Sequence, residues 1–299
     1  MLLSHRPQAG FSLVELIITI ILGGIVASMT ASILTLPINA YIDTSRRATL
    51  SDVAESALRR MQRDIRRALP NSIRISADGQ TLELLHIVNG GRYRSSKDAN
   101  DVNCETSSSA VNCDILDFSI ADTSFDVLGE LKNFSDITLN QDQVIIYPLE
   151  TVGSNAYNSS ENRTGLAATS TARHIGLNPA FQFPFSSPQQ RFFIVDTPIT
   201  YHCDTTAAAT KDKVLRRYSQ YTIQSTQPQP TNPTAGTPAT PISAGSKVDW
   251  QANYVARCNF SYNAGSSTRS ALVTLELVVT DDAGESIRLL HQVHVDNQP

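Results

Sequence analysis

The side chain in this 299-residue chain whose setting most demands chemistry is a carboxylate, Glu15, at the head of an uncharged run. No charge follows it until Asp43, and Leu16–Leu36 holds fourteen Leu, Ile, Val, Met or Ala residues. If that run lies in lipid, an acid at its edge costs about 2–3 kcal/mol unless it is neutralised or paired. The partner at hand is an amine. Were the chain cut after Gly10, the new α-amino group of Phe11 would stand four residues, one helical turn, from Glu15. The amine of a neighbouring copy could also reach it, so the carboxylate makes sense as an assembly contact.

Cys104, Cys113, Cys203 and Cys258 come next, an even number confined to the part after residue 70, as in exported domains with disulfides. Three connectivities are open. Cys104–Cys113 would close a polar loop and Cys203–Cys258 would tie strands that bracket a proline-rich segment, so that pairing is favoured. Zinc is the rival, but no C-x-x-C occurs, and His202 points to the opposite strand face from Cys203. His291 and His294, three apart on a strand, likewise fall on opposite faces. Asp98, Asn100, Asp101 and Asn103 offer oxygens for calcium without a downstream Glu at EF-hand spacing, and read as a solvated loop. Trp250 with Tyr254 and Phe260 could stack on a sugar, but core packing is the expected role. No G-x-G-x-x-G, P-loop, G-x-S-x-G or H-E-x-x-H occurs, so the sequence gives no support for catalysis, a metal or a cofactor.

The elements that would position these residues begin with the apolar run, about 30 Å long as a helix and able to span a membrane. A Sec-type signal would place such a run before a small-x-small cleavage site, whereas here a polar leader ending in Gly10 precedes it. Arg46 and Arg47 outweigh Arg6 by the positive-inside rule, which favours a cytoplasmic head; the cysteines and composition favour export instead. Gly23, Gly24 and Pro37 weaken the helix. Beyond Pro37, Leu50, Val53/Ala54, Ala57/Leu58, Met61, Ile65 and Ala68/Leu69 make one apolar stripe on an amphipathic helix that Pro70 stops near Leu69. Arg46, Arg47, Arg59, Arg60, Arg63, Arg66 and Arg67 fall largely off the stripe.

After residue 70 the period becomes two. Strands are predicted at Ser72–Ser76, Thr81–Val88, Asp114–Ile120, Gln143–Tyr147, Arg191–Val195, Ile199–Cys203, Val214–Ile223, Tyr254–Tyr262, Ala271–Thr280 and Ser286–Val295, the last two joined at Asp281–Gly284. Gly153–Thr171 and the proline-rich Ser225–Gly245 read as exposed loops. Composition agrees with a folded β-rich head: 41% of residues are hydrophobic and 17% charged. The net charge of −4 gives no reason to expect nucleic acid.

Gly10-Phe11-Ser12-Leu13-Val14-Glu15 followed by an apolar helix resembles the class III signal of type IV pilins and of the pseudopilins of type II secretion. The resemblance implies an α+β fold in which a long N-terminal hydrophobic helix packs on an antiparallel β-rich head. It implies cleavage between Gly10 and Phe11 by a prepilin peptidase, N-methylation of Phe11, and docking through Glu15. The domains it implies are a leader at 1–10, a membrane and filament-core helix at 11–36, an amphipathic stalk at 37–69 and a periplasmic head at 70–299. Arg60 to Ser72 is similar to the helix-to-head junction of large PilW-like minor pilins. Arg217-Tyr218-Ser219, Cys258 to Tyr262, Ser270 to Leu275 and His291 to Asn297 are similar to minor pilins of the mannose-sensitive haemagglutinin (MSHA) type. Expected partners are other minor pilins, the major pilin and the inner-membrane assembly platform. The expected location is the inner membrane and then the pilus tip, with a role in priming assembly and in adhesion. A J-like secretion pseudopilin and a glycan-binding tip adhesin are the alternatives.

Overall fold

In the computed structural model, which describes residues 10–97, 113–230, 242–243, 245–264 and 270–295, the two predicted helices are one element. α1 runs from Leu13 to Arg66 with Pro37 inside it. Proline removes one backbone bond of many, and the turns on either side carry the helix past it. The helix stops at Arg66 rather than Leu69 because the next residues exchange helical bonds for a sheet ladder. Ile87 donates to the Arg67 carbonyl at 2.9 Å and Leu69 to that of Leu85 at 2.8 Å, just before Pro70.

The chain divides into two units, Met1–Thr49 and Leu50–Pro299. In the first, every described side chain is exposed. The second is built on β1 (Arg74–Ile75), β2 (Thr81–Arg92), β3 (Asp122–Asp126), β4 (Gln143–Ile145), α2 (Ser159–Asn162), β5 (Thr164–Leu166), β6 (His174–Phe181), β7 (Arg191–Asp204), β8 (Val214–Ser219) and β9 (Lys247–Ala252), completed by β10 (Val255–Asn263), β11 (Ala271–Thr280) and β12 (Ser286–Val295). One sheet has the order β1-β2-β7-β4-β5-β6-β3, with β8 on β7 and β9 on β8; the other is β10-β11-β12. Every described pairing is antiparallel, so the fold is α+β, an N-terminal apolar helix followed by an antiparallel β head.

β7 organises the large sheet. It pairs β2 along one edge, while on the other its Phe193–Val195 pairs β4 and its Thr200–Asp204 pairs β8. Pro198 lies where the second edge changes partner, a position at which a missing amide costs no ladder bond. Two predicted strands, 191–195 and 199–203, are therefore one.

The stripe on α1 is buried: Leu50, Ala54, Ala57, Leu58, Met61, Ile65 and Ala68 share a core with Leu82, Leu84, Ile199, Tyr201 and Leu215 of the large sheet and with Val255, Phe260, Val273, Leu275 and Leu277 of the small one. A disulfide between Cys203 and Cys258, 55 residues apart with Cα atoms at 6.2 Å, joins β7 to β10 inside that core. Closing a loop of this length stabilises the fold by about 4 kcal/mol in the chain-entropy model. A second core gathers Tyr93, Phe125, Phe183 and Phe192; the Phe125 and Phe192 rings meet edge-on at 5.2 Å.

In the head the structure corrects two further sequence expectations and adds detail to a third. Asp114–Ile120 is not a strand: the Asp117 amide donates to Asp122 Oδ2 at 2.8 Å and the Ser119 amide to Asp117 Oδ1 at 2.7 Å. Short polar side chains there displace a ladder. The segment 153–171 is not an exposed loop, since it holds α2 and β5 and buries Ser154, Asn162, Arg163, Thr164 and Leu166. Several of its polar groups are kept inside by their own bonds, as between Asn162 Nδ2 and Ser154 Oγ at 3.2 Å. The start of the proline-rich segment is held: Arg74 donates to the Gln224 carbonyl at 2.9 Å and to that of Ser225 at 2.8 Å. Residues 231–241 and 244 of that segment lie outside the described residues.

Candidate functional site: the uncovered N-terminal helix

Leu13–Thr30 is long and apolar enough to cross a membrane, and none of that stretch is buried within the chain. Phe11 is 82% exposed, and from Leu13 through Val26 and Met29 every large apolar side chain is open. An apolar surface of this extent is stable only against lipid or other apolar chains. The hydroxyls within it are already satisfied by the helix backbone: Thr19 donates to Leu16 O at 2.9 Å, Ser28 to Ile25 O at 2.9 Å and Thr30 to Val26 O at 2.8 Å. Their donor hydrogens are spent on the helix's own carbonyls, which lowers the cost of placing them in hydrocarbon. A Cβ added at Gly23 or Gly24 would meet nothing within 4 Å, so no packing inside the chain demands glycine there. In lipid, small residues let a second helix approach closely.

Glu15 is the acidic residue of the first turn of α1, where the free backbone amides favour negative charge. Its carboxylate is exposed and has no hydrogen-bond or ion-pair partner among the described residues. Gly10 and Phe11 lie immediately before the helix, whose first backbone bond runs from Leu16 N to Ser12 O at 3.1 Å. The arrangement presents a carboxylate and the residues of the expected cut side by side on one helical turn. It offers no cavity and no nucleophile–base pair, so what it can do is bind.

At its other end the helix is clasped by polar groups. Asp64 accepts from the Tyr201 hydroxyl at 2.7 Å and from Arg217 Nε at 2.8 Å. Burial, reinforced by the Asp64 charge, pushes the Tyr201 phenol up, so it remains a donor. Burial works against the Arg217 charge, but Asp64 outweighs it and holds the guanidinium above its ordinary range. No sequence signal reveals this clasp, because its members are 137 and 153 residues from Asp64.

The other sequence candidates are scattered. Cys104 and the Asp98, Asn100, Asp101 and Asn103 group lie outside the described residues, while Cys113 is buried. His202 Nδ1 lies 2.9 Å from Thr81 Oγ1 on a buried strand, and His291 and His294 occupy neighbouring registers of β12 opposite Leu275 and Leu272. Trp250 corrects the core expectation: it is 64% exposed, whereas Phe260 is in the core, so the two do not form one stacking platform. Among the described residues no cluster of His, Cys, Asp or Glu has the makings of a metal site.

One feature was not foreseen, a cleft of about 300 Å³ whose lining includes Asp114, Asp117, Asp122 and Ser124 together with Lys97. His174 Nδ1 sits at its edge, 2.8 Å from Asp126 Oδ1 and 3.8 Å from Asp114 Oδ2. Burial raises the Asp114 carboxyl above its ordinary value; the Ser124 hydroxyl at 2.6 Å and His174 oppose this, and the charges of Asp122 and Asp126 add to it.

Residues 5–31 match the prokaryotic N-terminal methylation motif. No curated protein and no solved structure matches the chain. The motif supports a type IV pilin-like or pseudopilin-like protein, structural rather than enzymatic, that is processed by a prepilin peptidase and assembles with other pilins. With the single uncovered helix it fits a single-pass membrane-anchored chain bearing a globular head.

Proposed function

We propose that this chain is a minor pilin of an MSHA-type type IV pilus, of the kind represented by MshO, that joins other minor pilins in a complex priming pilus assembly. The observation that carries the proposal is the methylation motif at 5–31 leading into an apolar helix that the chain itself leaves uncovered. A prepilin peptidase removes residues 1–10, cutting between Gly10 and Phe11, and Phe11 is N-methylated. The apolar helix, 11–36, is drawn from the inner membrane into the filament core; 37–69 is the stalk, and the head, 70–299, lies in the periplasm until the tip is extruded. Glu15 pairs with the amine of a neighbour's Phe11. That pairing offsets the carboxylate's cost in lipid and fixes the axial step between subunits. The head's size favours a minor subunit, since a head of some 230 residues is awkward to repeat along a dense filament. Head-to-head β contacts at the tip would set subunit order and contribute to adhesion.

A second reading has a specific observation behind it: the methylation motif suits a pseudopilin as well as a pilin. A J-like pseudopilin would act in enzyme export. A clean gene deletion separates the readings, with surface pili counted by electron microscopy while secretion and cell binding are assayed. Loss of pili with secretion intact is the expected result; loss of secretion with pili intact would replace the proposal by the pseudopilin. Normal pili that no longer bind would make the head an adhesin and end the priming model.

A further inference from the structure

We propose that the arginine face at the end of α1 docks a carboxylate-bearing helix of a neighbouring pilin subunit, an inference that rests on the pilin reading above. Arg59, Arg60, Arg63 and Arg66 on the helix and Arg67 just after it are all exposed. At about 100° per residue the four helical arginines fall within a fan of about 120°. The fan points away from Leu58, Met61 and Ile65, which are fully buried. Arg59 has a carboxylate, Glu55 at 2.6 Å. Among the described residues Arg60, Arg63, Arg66 and Arg67 have none, and the nearby Asp64 is taken by Tyr201 and Arg217.

Four uncompensated cations within eight residues repel one another, and a place in the last turn of a helix relieves this only in part. A surface of carboxylates relieves it fully. The residue type points the same way: all are arginine, none lysine, and the planar guanidinium fork pairs two-pronged with carboxylates. Nucleic acid fits poorly, because the chain carries a net charge of −4 despite this face, and its wider field repels a polyanion. Arg60 and Arg63 lie at i and i+3 on the helix with Arg67 just past its end, so a partner helix with Asp or Glu three to four residues apart sets its acids about 5–6 Å apart, facing them. Subunits that pack their apolar helices side by side bring such a helix alongside.

The test uses the full-length chain in cells, with a photo-crosslinking residue at Ser56, which is exposed on the same side one turn earlier. The crosslinked peptide should come from a pilin and carry Asp or Glu at three- to four-residue spacing. Its yield should fall about tenfold in Arg60→Glu/Arg63→Glu/Arg67→Glu and recover when the partner's acids are changed to lysine. The thermal midpoint and the mature-size band should not change, since these arginines support nothing within the chain. If the midpoint drops, the Gln triple variant replaces the Glu one. Crosslinks to phospholipid or nucleic acid, or a yield within twofold of the parent in the reversed variant, overturn the docking surface. A deletion that leaves pili, secretion and cell binding all intact defeats the pilin reading; a deletion phenotype with charge-insensitive crosslinks defeats only this inference.

Discussion

The two parts of α1 are the same secondary structure with opposite fates. From Leu13 to Met29 its large apolar side chains are exposed; from Leu50 to Ile65 its apolar positions are buried in the first core. The difference is one of pattern rather than content. Leu16–Leu36 is apolar on every side, so no single neighbour within the chain could cover it, while the later stretch confines its apolar residues to one stripe that two sheets can meet. An all-round apolar helix needs a solvent or a bundle, whereas a striped helix needs only a partner face. Covered surface is what stabilises the head, and the uncovered surface is left to meet lipid or other chains.

The largest effect that would break this comparison comes from the exposed part. Glu15→Ala should leave cleavage intact and abolish incorporation into filaments, with the thermal midpoint of the head unmoved; normal incorporation would remove Glu15 from assembly. Gly10→Val should block processing outright, seen as a chain of precursor length on an immunoblot. A band of mature size would move the cut elsewhere.

A paired substitution sharpens the comparison within one helix. Leu58→Ala, at a fully buried site, should cost about 2–5 kcal/mol, lowering the midpoint by several degrees for a head of this size. Ile21→Ala, at a site 56% exposed, should leave the head's midpoint where it was and weaken only association with membrane or neighbouring subunits. Equal losses at both sites in purified chain would mean that the first part of α1 is packed after all.

What could be read from the sequence follows from how local each signal is. The N-terminal motif, the α1 stripe and the β11–β12 hairpin depend on neighbours in sequence. The turn at Asp281 is an example, where the Asp281 amide donates to the Glu285 carbonyl at 2.9 Å. β5 and β6 were hidden by glycines that close packing demands. A Cβ at Gly165 would stand 2.5 Å from the Asn178 carbonyl oxygen, and one at Gly176 would stand 2.6 Å from Thr169 Oγ1. β9 was missed although its six residues, Lys-Val-Asp-Trp-Gln-Ala, alternate polar and apolar, because it is short and follows directly on the proline-rich segment. The acidic cleft misled most directly: Asp114–Ile120 has the period of a strand, but its backbone amides donate to aspartate side chains instead, that of Asp114 to Asp126 Oδ2 and that of Asp117 to Asp122 Oδ2. The Asp64 clasp is long-range and left no trace in local pattern.

The smallest effect concerns that cleft and bears on the head alone. Asp114 is raised above its ordinary value, by burial first and then by the charges of Asp122 and Asp126, against the Ser124 bond and His174, which lower it. A carboxyl with a raised value in the fold binds its proton more tightly folded than unfolded. Its contribution to stability is therefore fully present below the unfolded value and is lost as pH rises through the folded one. At neutral pH the ionised Asp114 is a net burden in a cleft that already holds other acids. Asp114→Asn keeps the shape and an acceptor for the Ser124 hydroxyl, so it should raise the midpoint by a degree or two at pH 7. At pH 3, where the parent is neutral too, the gain should vanish. Melting both proteins across that range decides the matter. A variant less stable at pH 7 than the parent would mean that the Asp114 charge is needed in the fold.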